Sequence, residues 1–313
     1  MNKDFLSILD FSHDDLHHCL ALAGRLKRER PLGRRAPTAR VLEGLHVGLL
    51  FEKPSLRTRV TFSIGVTELG GSTVDIPADV MHADREPVHD VARNLERWVD
   101  AVVIRTFAQD RLTLVGGATS KLRVVNALSD AQHPCQALAD MQTLRELWGD
   151  VRGRTIAFVG DGNNVATSLV HAAVMLGISA RVATPKGYEL PAQVAREAAE
   201  VAVDGATLAE FTDPAAAVAG ADAIYTDVWT SMGQEVEYAE RKTIFSRFQV
   251  GAALMAKAGP NAIFMHCLPA HRGDEVTDEV IESSQSVVFD QAENRLHAQK
   301  AMLCMLLAPD ATS

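Results

Sequence analysis

Two hydroxyl and two guanidinium side chains fall within one helical turn, on Ser55, Arg57, Thr58 and Arg59. The apolar run at 45–51 before them predicts a buried strand, and residues 55–69 predict a helix ended by two glycines. The N–H groups and dipole at a helix start attract anions, and arginine adds paired donors that match phosphate. The segment therefore predicts a phosphate site, with a capped helix bearing solvated arginines as the alternative. Because it lacks the G-x-x-x-x-G-K pattern, it is not a nucleotide P-loop.

A second group of side chains is suited to binding a carbonyl oxygen. Arg105 ends the apolar run at 101–105, and His133 and Gln136 open a predicted helix at 134–147. Neutral imidazole and carboxamide groups can both donate a hydrogen bond to a carbonyl. The alternatives are a structural ion pair for Arg105 and a helix-capping role for His133.

The second half of the chain has three comparable clusters. The segment 160–164 imitates a dinucleotide fingerprint, but Val165 stands where the third glycine is needed. Asp227 and the hydroxyl of Ser231 suit the ammonium and carboxylate of an amino acid, with a turn around a buried tryptophan as the alternative. A nucleophilic Cys267 with His266 as its base is disfavoured, because adjacent strand residues face opposite sides.

These clusters all follow predicted strands, and the elements around them define the fold. Short apolar runs alternate with helical patterns, which predicts an α/β fold of two doubly wound domains, each a parallel sheet flanked by helices. The length of 313 residues agrees with two domains, and 149–154 is the predicted boundary. Ligands of such sheets bind beyond the carboxyl ends of the strands. Other predicted elements include helices at 12–30, 87–98 and 292–307 and a loop at 31–37.

Composition limits the classes of function. Hydrophobic residues make up 47% and charged residues 23%, as in globular proteins, and the net charge of −9 disfavours binding to nucleic acid or anionic membranes. No apolar run is long enough to span a membrane. The four cysteines show neither a zinc nor a disulfide pattern, which predicts a cytoplasmic location. Cys19 and Cys304 are predicted to lie in the core.

In combination, the clusters resemble the ornithine branch of the aspartate/ornithine carbamoyltransferase family over nearly the whole chain. The motifs that carry the resemblance are S-L-R-T-R at 55–59, H-P-C-Q at 133–136, G-D-G-N-N at 160–164, D at 227 with S-M-G at 231–233, H-C-L-P at 266–269 and A-E-N-R at 292–295. The resemblance implies a homotrimer, or a multiple of one, that acts on carbamoyl phosphate and L-ornithine with no metal and no cofactor.

The resemblance also implies a role for each matching residue. The expected carbamoyl phosphate ligands are Ser55, Leu56, Arg57, Thr58, Arg105, His133, Gln136, Cys267, Leu268 and Arg295. The expected ornithine ligands are Asn164, Asp227, Ser231 and Met232. The expected catalytic residues are Arg57, Thr58, Arg105, His133 and Cys267. By the same resemblance, residues 1–148 bind carbamoyl phosphate, residues 149–291 bind ornithine, and the final helix, at about 292–313, packs back on the first domain.

Two positions depart from the family pattern. Leu56 replaces a threonine, so only its backbone N–H is expected to reach the phosphate. Met81, beside His82, stands near a position where the family often has a substrate-binding glutamine, and that contact is not transferred. The predicted activity is carbamoyl transfer to the δ-amine of ornithine in arginine biosynthesis. The alternatives are an acylated ornithine, putrescine or aspartate as acceptor, a nucleotide-binding dehydrogenase, and a non-catalytic regulatory relative.

Overall fold

The computed structural model describes residues 2–81, 86–230 and 235–311. The chain forms two compact units: Met1–Gln142 with Glu293–Ser313, and Thr143–Ala292. Within the described residues, no helix is both long enough and apolar enough to cross a membrane.

The first unit is built on a four-stranded parallel sheet in the order β2-β1-β3-β4. The strands are β1 (His46–Phe51), β2 (Ser72–Ile76), β3 (Ala101–Arg105) and β4 (Arg123–Leu128). The helices that precede, connect and follow them are α1 (His13–Glu29), α2 (Leu56–Glu68), α3 (Val88–Leu95), α4 (Gln109–Gly117) and α5 (Pro134–Trp148). Because β2 lies on one side of β1 and β3 on the other, the winding reverses beside the carboxyl end of β1. Such reversal points create the crevice in which ligands of these sheets bind.

Local sequence signals explain where several helices begin and end. Ser12 and Asp15 form a reciprocal capping box before α1, as the sequence predicts. Helix α2 ends at Glu68 with Leu69 as its C-cap, and the next residue, Gly70, has a φ of +89°. A Cβ on Gly70 would lie 2.9 Å from the carbonyl oxygen of Ala39. Only glycine fits both this backbone conformation and this close approach.

The second unit has a five-stranded parallel sheet in the order β7-β6-β5-β8-β9. The strands are β5 (Thr155–Val159), β6 (Ser179–Ala183), β7 (Leu208–Phe211), β8 (Ala223–Thr226) and β9 (Ile263–His266). The helices of this unit are α6 (Asn164–Met175), α7 (Ala192–Val201), α8 (Pro214–Val218), α9 (Tyr238–Phe245), α10 (Ala252–Met255) and α11 (Asp278–Ile281). The last helix, α12 (Val288–Leu307), begins in this unit and continues from Glu293 as part of the first unit. Here the winding reverses between β5 and β8, so the loops after these strands flank the crevice.

The last helix packs against the first unit, as expected. The Lys300 ammonium lies 2.9 Å from a carboxylate oxygen of Glu68 on α2, and the Lys27 ammonium lies 2.9 Å from the side-chain oxygen of Asn294. These contacts join α12 to both α1 and α2, and residues 293–313 accordingly belong to the first unit.

The predicted fold class is confirmed, and the remaining differences are local. Helix α4 was not expected, and the predicted 31–37 loop contains a short 3₁₀ helix, Arg30–Arg35. Helix α3 is shorter than the predicted 87–98, and α12 begins at Val288 instead of 292. Cys19 and Cys304 are fully buried, which confirms their predicted place in the core.

Candidate active site

The start of α2 leaves backbone donors available to an anion. Ser55 is the N-cap, and its hydroxyl accepts a long hydrogen bond from the Thr58 N–H at 3.4 Å. The Leu56 N–H has no hydrogen-bond partner among the described residues, while the Leu56 side chain is 77% exposed. The turn therefore has the open amide that an anion needs, and the leucine side chain lies in solvent.

His133 lies in a positively charged, buried environment at the start of α5. Burial lowers the pKa of His133 well below its usual value, and the charges of Arg295, Arg105 and Arg57 lower it further. The imidazole is consequently neutral near pH 7 and carries one N–H donor. Three guanidinium groups close enough to affect one imidazole define a strongly electropositive cluster.

Arg295 joins two of the predicted substrate ligands. Its guanidinium donates to the Gln136 side-chain oxygen at 2.6 Å and to the Thr58 hydroxyl at 3.1 Å. The Gln136 amide nitrogen in turn donates to Asp140 at 2.8 Å. Because all four side chains are buried, this network fixes the orientation of Gln136 and Thr58.

Two charged residues next to the phosphate segment were missed by sequence reasoning. The buried Lys53 ammonium lies 4.1 Å from the centre of the Phe107 ring, in a cation–π contact. The Glu52 carboxylate accepts a hydrogen bond from Thr106 and pairs with Arg111. The available sequence signal was that Glu52 and Lys53 directly follow the apolar run of β1.

In the second unit, Asp227 lies between two side chains from neighbouring loops. One carboxylate oxygen accepts from the Asn163 amide at 2.9 Å, and the other accepts from the Cys267 thiol at 2.9 Å. The side-chain oxygen of Asn163 also accepts from the backbone N–H groups of Val165 and Ala166. This cap occupies the donors at the start of α6 that a dinucleotide pyrophosphate would use.

His266 and Cys267 have separate partners and do not form a nucleophile–base pair. The His266 Nδ1 accepts from the Leu268 N–H at 2.8 Å, so the ring proton is on Nε2, which faces Glu275 at 3.2 Å. Leu268 has a φ of +57°, an uncommon value for a residue with a Cβ. That His266 does not activate Cys267 stays a prediction, and it is supported by the different hydrogen-bond partners of the two side chains, Glu275 and the Leu268 N–H for His266 and Asp227 for Cys267.

Arg241 is a further buried charge that the sequence did not reveal. Its guanidinium pairs with Asp161, donates to the Trp229 carbonyl at 2.5 Å and stacks 4.8 Å from the Tyr188 ring centre. Burial raises the pKa of Asp161 to about 6, against the opposing charge of Arg241. Arg241 thus holds together the loops that follow β5 and β8.

One group of side chains has the composition of a metal site. The ligand atoms of Asp227, His266 and Cys267 lie within 4.8 Å of one another, and among the described residues no other such group is found. The hydrogen bonds described above already engage the Asp227 carboxylate, the Cys267 thiol and His266 Nδ1. We therefore interpret the group as a hydrogen-bonded cluster at the carboxyl ends of β8 and β9.

The predicted site residues fall into two sets, one in each unit. The first unit contains Ser55, Leu56, Arg57, Thr58, Arg105, His133, Gln136 and Arg295. The second contains Asn164, Asp227, Cys267 and Leu268. Asn164 is half-buried and opens α6. The predictions for Ser231, Met232, His82 and the Met81 side chain concern parts of the chain outside the described residues.

The comparisons with known proteins match each half of the chain to a named domain. Residues 3–146 match the carbamoyl-P binding domain of aspartate/ornithine carbamoyltransferase, and residues 152–306 match its Asp/Orn binding domain. An ornithine carbamoyltransferase from Parafrankia sp. (strain EAN1pec) is 48% identical, the alignment covering 97% of this chain and 96% of the relative.

Solved structures give the same picture. The ornithine carbamoyltransferase of Pyrococcus furiosus superposes with a TM-score of 0.91 at 44% identity, over 97% of this chain and 96% of that one. An acetylornithine transcarbamylase complexed with acetylcitrulline is also similar, with a TM-score of 0.85 at 30% identity over 97% of this chain and 99% of that one. The chain belongs to the aspartate/ornithine carbamoyltransferase family.

Proposed function

We propose that this chain transfers the carbamoyl group of carbamoyl phosphate to the δ-amine of L-ornithine, giving L-citrulline and phosphate, as a step of arginine biosynthesis. The observation that carries the proposal is the pairing of two sites in one chain. An arginine-rich site lies at the reversal point of the first sheet, and a carboxylate-centred site lies at that of the second.

Carbamoyl phosphate is the ligand proposed for the first unit. Its phosphate would accept from the open start of α2 at Ser55, Leu56 and Thr58 and pair with Arg57. Its carbamoyl oxygen would accept from Arg105, His133 and Thr58, and its amino group would donate to the oxygen of Gln136. Cys267, Leu268 and Arg295 complete the proposed ligand set by the family resemblance.

The reaction needs only these groups and the two substrates. The neutral δ-amine attacks the carbonyl carbon, a C–N bond forms, and negative charge collects on the carbonyl oxygen. Donors fixed around that oxygen stabilise the tetrahedral intermediate more than the planar substrate. The C–O bond to phosphate then breaks, Arg57 balances the charge on the departing phosphate, and the phosphate accepts the amine proton.

Ornithine is the ligand proposed for the second unit. Asp227 would pair with its α-ammonium, and Asn164, Ser231 and Met232 would bind the rest of the α-amino acid group. Asp227 favours a free α-amine over an acylated ornithine, whose amide carries no positive charge. Putrescine is disfavoured because it has no carboxylate to occupy the positions proposed for Asn164, Ser231 and Met232.

The δ-amine must lose its proton before it can attack. An alkyl amine with a pKa of about 10.4 is almost wholly protonated at pH 7. Positive charges close to the δ position, or exclusion of water from it, would disfavour an ammonium there. Cys267 would orient the amine in this scheme, without forming a covalent intermediate.

The assembly and location are proposed from the family resemblance together with surface features. A homotrimer, or a multiple of one, would cover the exposed apolar side chains of Val60 and Ile64, which lie four residues apart on α2. A cytoplasmic location is consistent with four cysteines that form no disulfide bond in the described part of the chain.

The dehydrogenase alternative is weakened by the second unit itself. Asn163 caps the helix start, and a Cβ on Gly162 would lie 2.5 Å from the Glu189 backbone. Close packing against that backbone therefore accounts for Gly162 without a nucleotide.

The decisive experiment supplies carbamoyl phosphate with ornithine, N-acetylornithine, putrescine or aspartate and measures the carbamoylated product of each. Citrulline should form with the highest kcat/KM. A higher value for another acceptor would overturn the ornithine assignment, and tight binding in a parallel NAD(H) titration would favour the dehydrogenase.

A further inference from the structure

Strand β3 loses its regular pairing at the residue proposed to act on the carbamoyl group. Ile104 pairs with Asn126, but Arg105 pairs with Leu128, so one residue of β4 is skipped between them. Such an irregularity redirects the side chain beside it and weakens the ladder that would otherwise fix the backbone. Arg105 is nevertheless buried, so its side chain depends on other supports.

Support comes from the other neighbour of β3. Phe51 of β1 pairs with Arg105, and the following Glu52 N–H donates to the Arg105 carbonyl at 2.8 Å. The Glu52 carboxylate then accepts a hydrogen bond from the Thr106 hydroxyl. Glu52 therefore holds the backbone at Arg105 and the side chain of the next residue at once.

We call the contacts of Glu52 with the Arg105 backbone and the Thr106 hydroxyl the Glu52 clamp, and this clamp contains a buried charge. The Glu52 side chain is only 5% exposed, and a carboxylate buried to this degree is unfavourable unless it is paired. Arg111, which is on α4, supplies the positive partner. The Thr106 hydroxyl is fully buried, and its backbone N–H donates to the Leu128 carbonyl at 3.0 Å, which ties the same residue to β4.

We propose that Glu52 and Thr106 are positioning residues that set the direction of the Arg105 guanidinium for the transition state. They act through Arg105, and neither is assigned a contact with substrate. The inference rests on the proposed function, because it takes Arg105 to donate to the carbamoyl oxygen.

The first test is the isosteric change Thr106→Val, with Thr106→Ser as its matched control. Losing the hydroxyl should lower kcat about tenfold, equivalent to about 1.4 kcal/mol of transition-state stabilisation, with the ornithine KM nearly unchanged. Thr106→Ser keeps the hydroxyl and should restore kcat to within about threefold of the native value. An unchanged kcat in Thr106→Val, or no recovery in Thr106→Ser, would overturn the proposal.

A double-mutant cycle separates positioning from a general loss of stability. In an Arg105→Ala background the group being positioned is absent, so Thr106→Val should cause no further loss of kcat. A second loss as large as the first would show that Thr106 acts independently of Arg105 and would refute the inference. Thermal unfolding of all four proteins, well above the assay temperature, confirms that folded enzymes are compared.

Glu52→Gln gives an independent test that does not use the valine variant. The carboxamide oxygen can still accept from Thr106, so kcat should stay within about threefold of native even though the ion pair with Arg111 is lost. A tenfold or larger loss of kcat would show that the charge matters and not the clamp. The affinity of each variant for carbamoyl phosphate can be measured by direct titration without an acceptor. This measurement reports on the contact of Arg105 with carbamoyl phosphate even if the native protein forms no citrulline.

Discussion

Asp227→Asn should weaken the binding of the amino acid and leave the binding of carbamoyl phosphate nearly unchanged. The change keeps the shape of the side chain but removes its charge and turns one acceptor oxygen into a donor. Both oxygens accept at 2.9 Å, one from Asn163 and one from Cys267, so the new amide must face at least one donor. Removing one member of a desolvated charge pair weakens binding by about 2–5 kcal/mol, or ~30- to ~4,000-fold.

The assay is calorimetric titration of L-norvaline, which has the α-amino acid group of ornithine but no δ-amine, in the presence of carbamoyl phosphate. Without a nucleophile no turnover occurs, so the measured value is a binding constant. Norvaline affinity should fall within the range above, while carbamoyl phosphate affinity stays near its native value because its proposed ligands are mainly in the other unit.

A matched control is available at the opposite end of the same sheet. Asp222 also accepts two hydrogen bonds, from Arg154 and from the Thr155 N–H, each at 2.8 Å. Asp222→Asn should lower the unfolding temperature without changing norvaline affinity. If the Asp227→Asn variant binds norvaline with an affinity within about threefold of native, or if its affinities for both ligands fall equally, the assignment of Asp227 to the ammonium is wrong.

Three further predictions address other parts of the molecule. Arg57→Ala should weaken carbamoyl phosphate binding by about 1.5–3 kcal/mol in a direct titration, whereas Leu56→Ala, whose side chain lies in solvent, should leave it unchanged. Cys267→Ser should keep measurable turnover, and the apparent ornithine affinity of the native enzyme should rise from neutral to alkaline pH; a trapped carbamoyl-cysteine or a flat pH profile would contradict this. Burial lowers the pKa of His171 to about 4, so this group binds a proton more readily in the unfolded chain, and its own contribution to the free energy of unfolding should fall between pH 6.5 and about 4, by at most ~1.4 kcal/mol per pH unit. His171→Phe should flatten that slope in denaturant titrations, and an unchanged slope would exclude His171 as its source.

Central strands were predictable because both faces of a parallel sheet are covered. All five residues of β3 are buried, and the corresponding apolar run stands out in the sequence. Helix α4 was missed because its local signals are weak: it ends in two glycines and exposes Leu114. Element types therefore followed from hydrophobic periodicity, whereas this short helix is held by tertiary packing.

The sequence predicted which residues of the candidate site follow strands, but it did not predict the hydrogen bonds that connect them. Arg57, Arg105 and His133 were found because charged or polar side chains follow apolar runs. Arg241 was missed because its partner Asp161 is 80 residues away, and nothing in the sequence near Arg241 marks it as buried. Hydrogen bonds between distant loops depend on how the sheet is wound, which a local pattern does not contain.

The buried arginine cluster around His133 lies in a protein whose net charge is −9. At a distance, a phosphate dianion meets a repulsive field, whereas ornithine, with two ammonium groups and one carboxylate, meets an attractive one. Mobile ions screen exposed charges strongly and buried charges much less. Raising the ionic strength should therefore reduce the long-range repulsion more than the local attraction for carbamoyl phosphate, while slowing the encounter with ornithine. The two substrates of one enzyme would respond to salt in opposite directions.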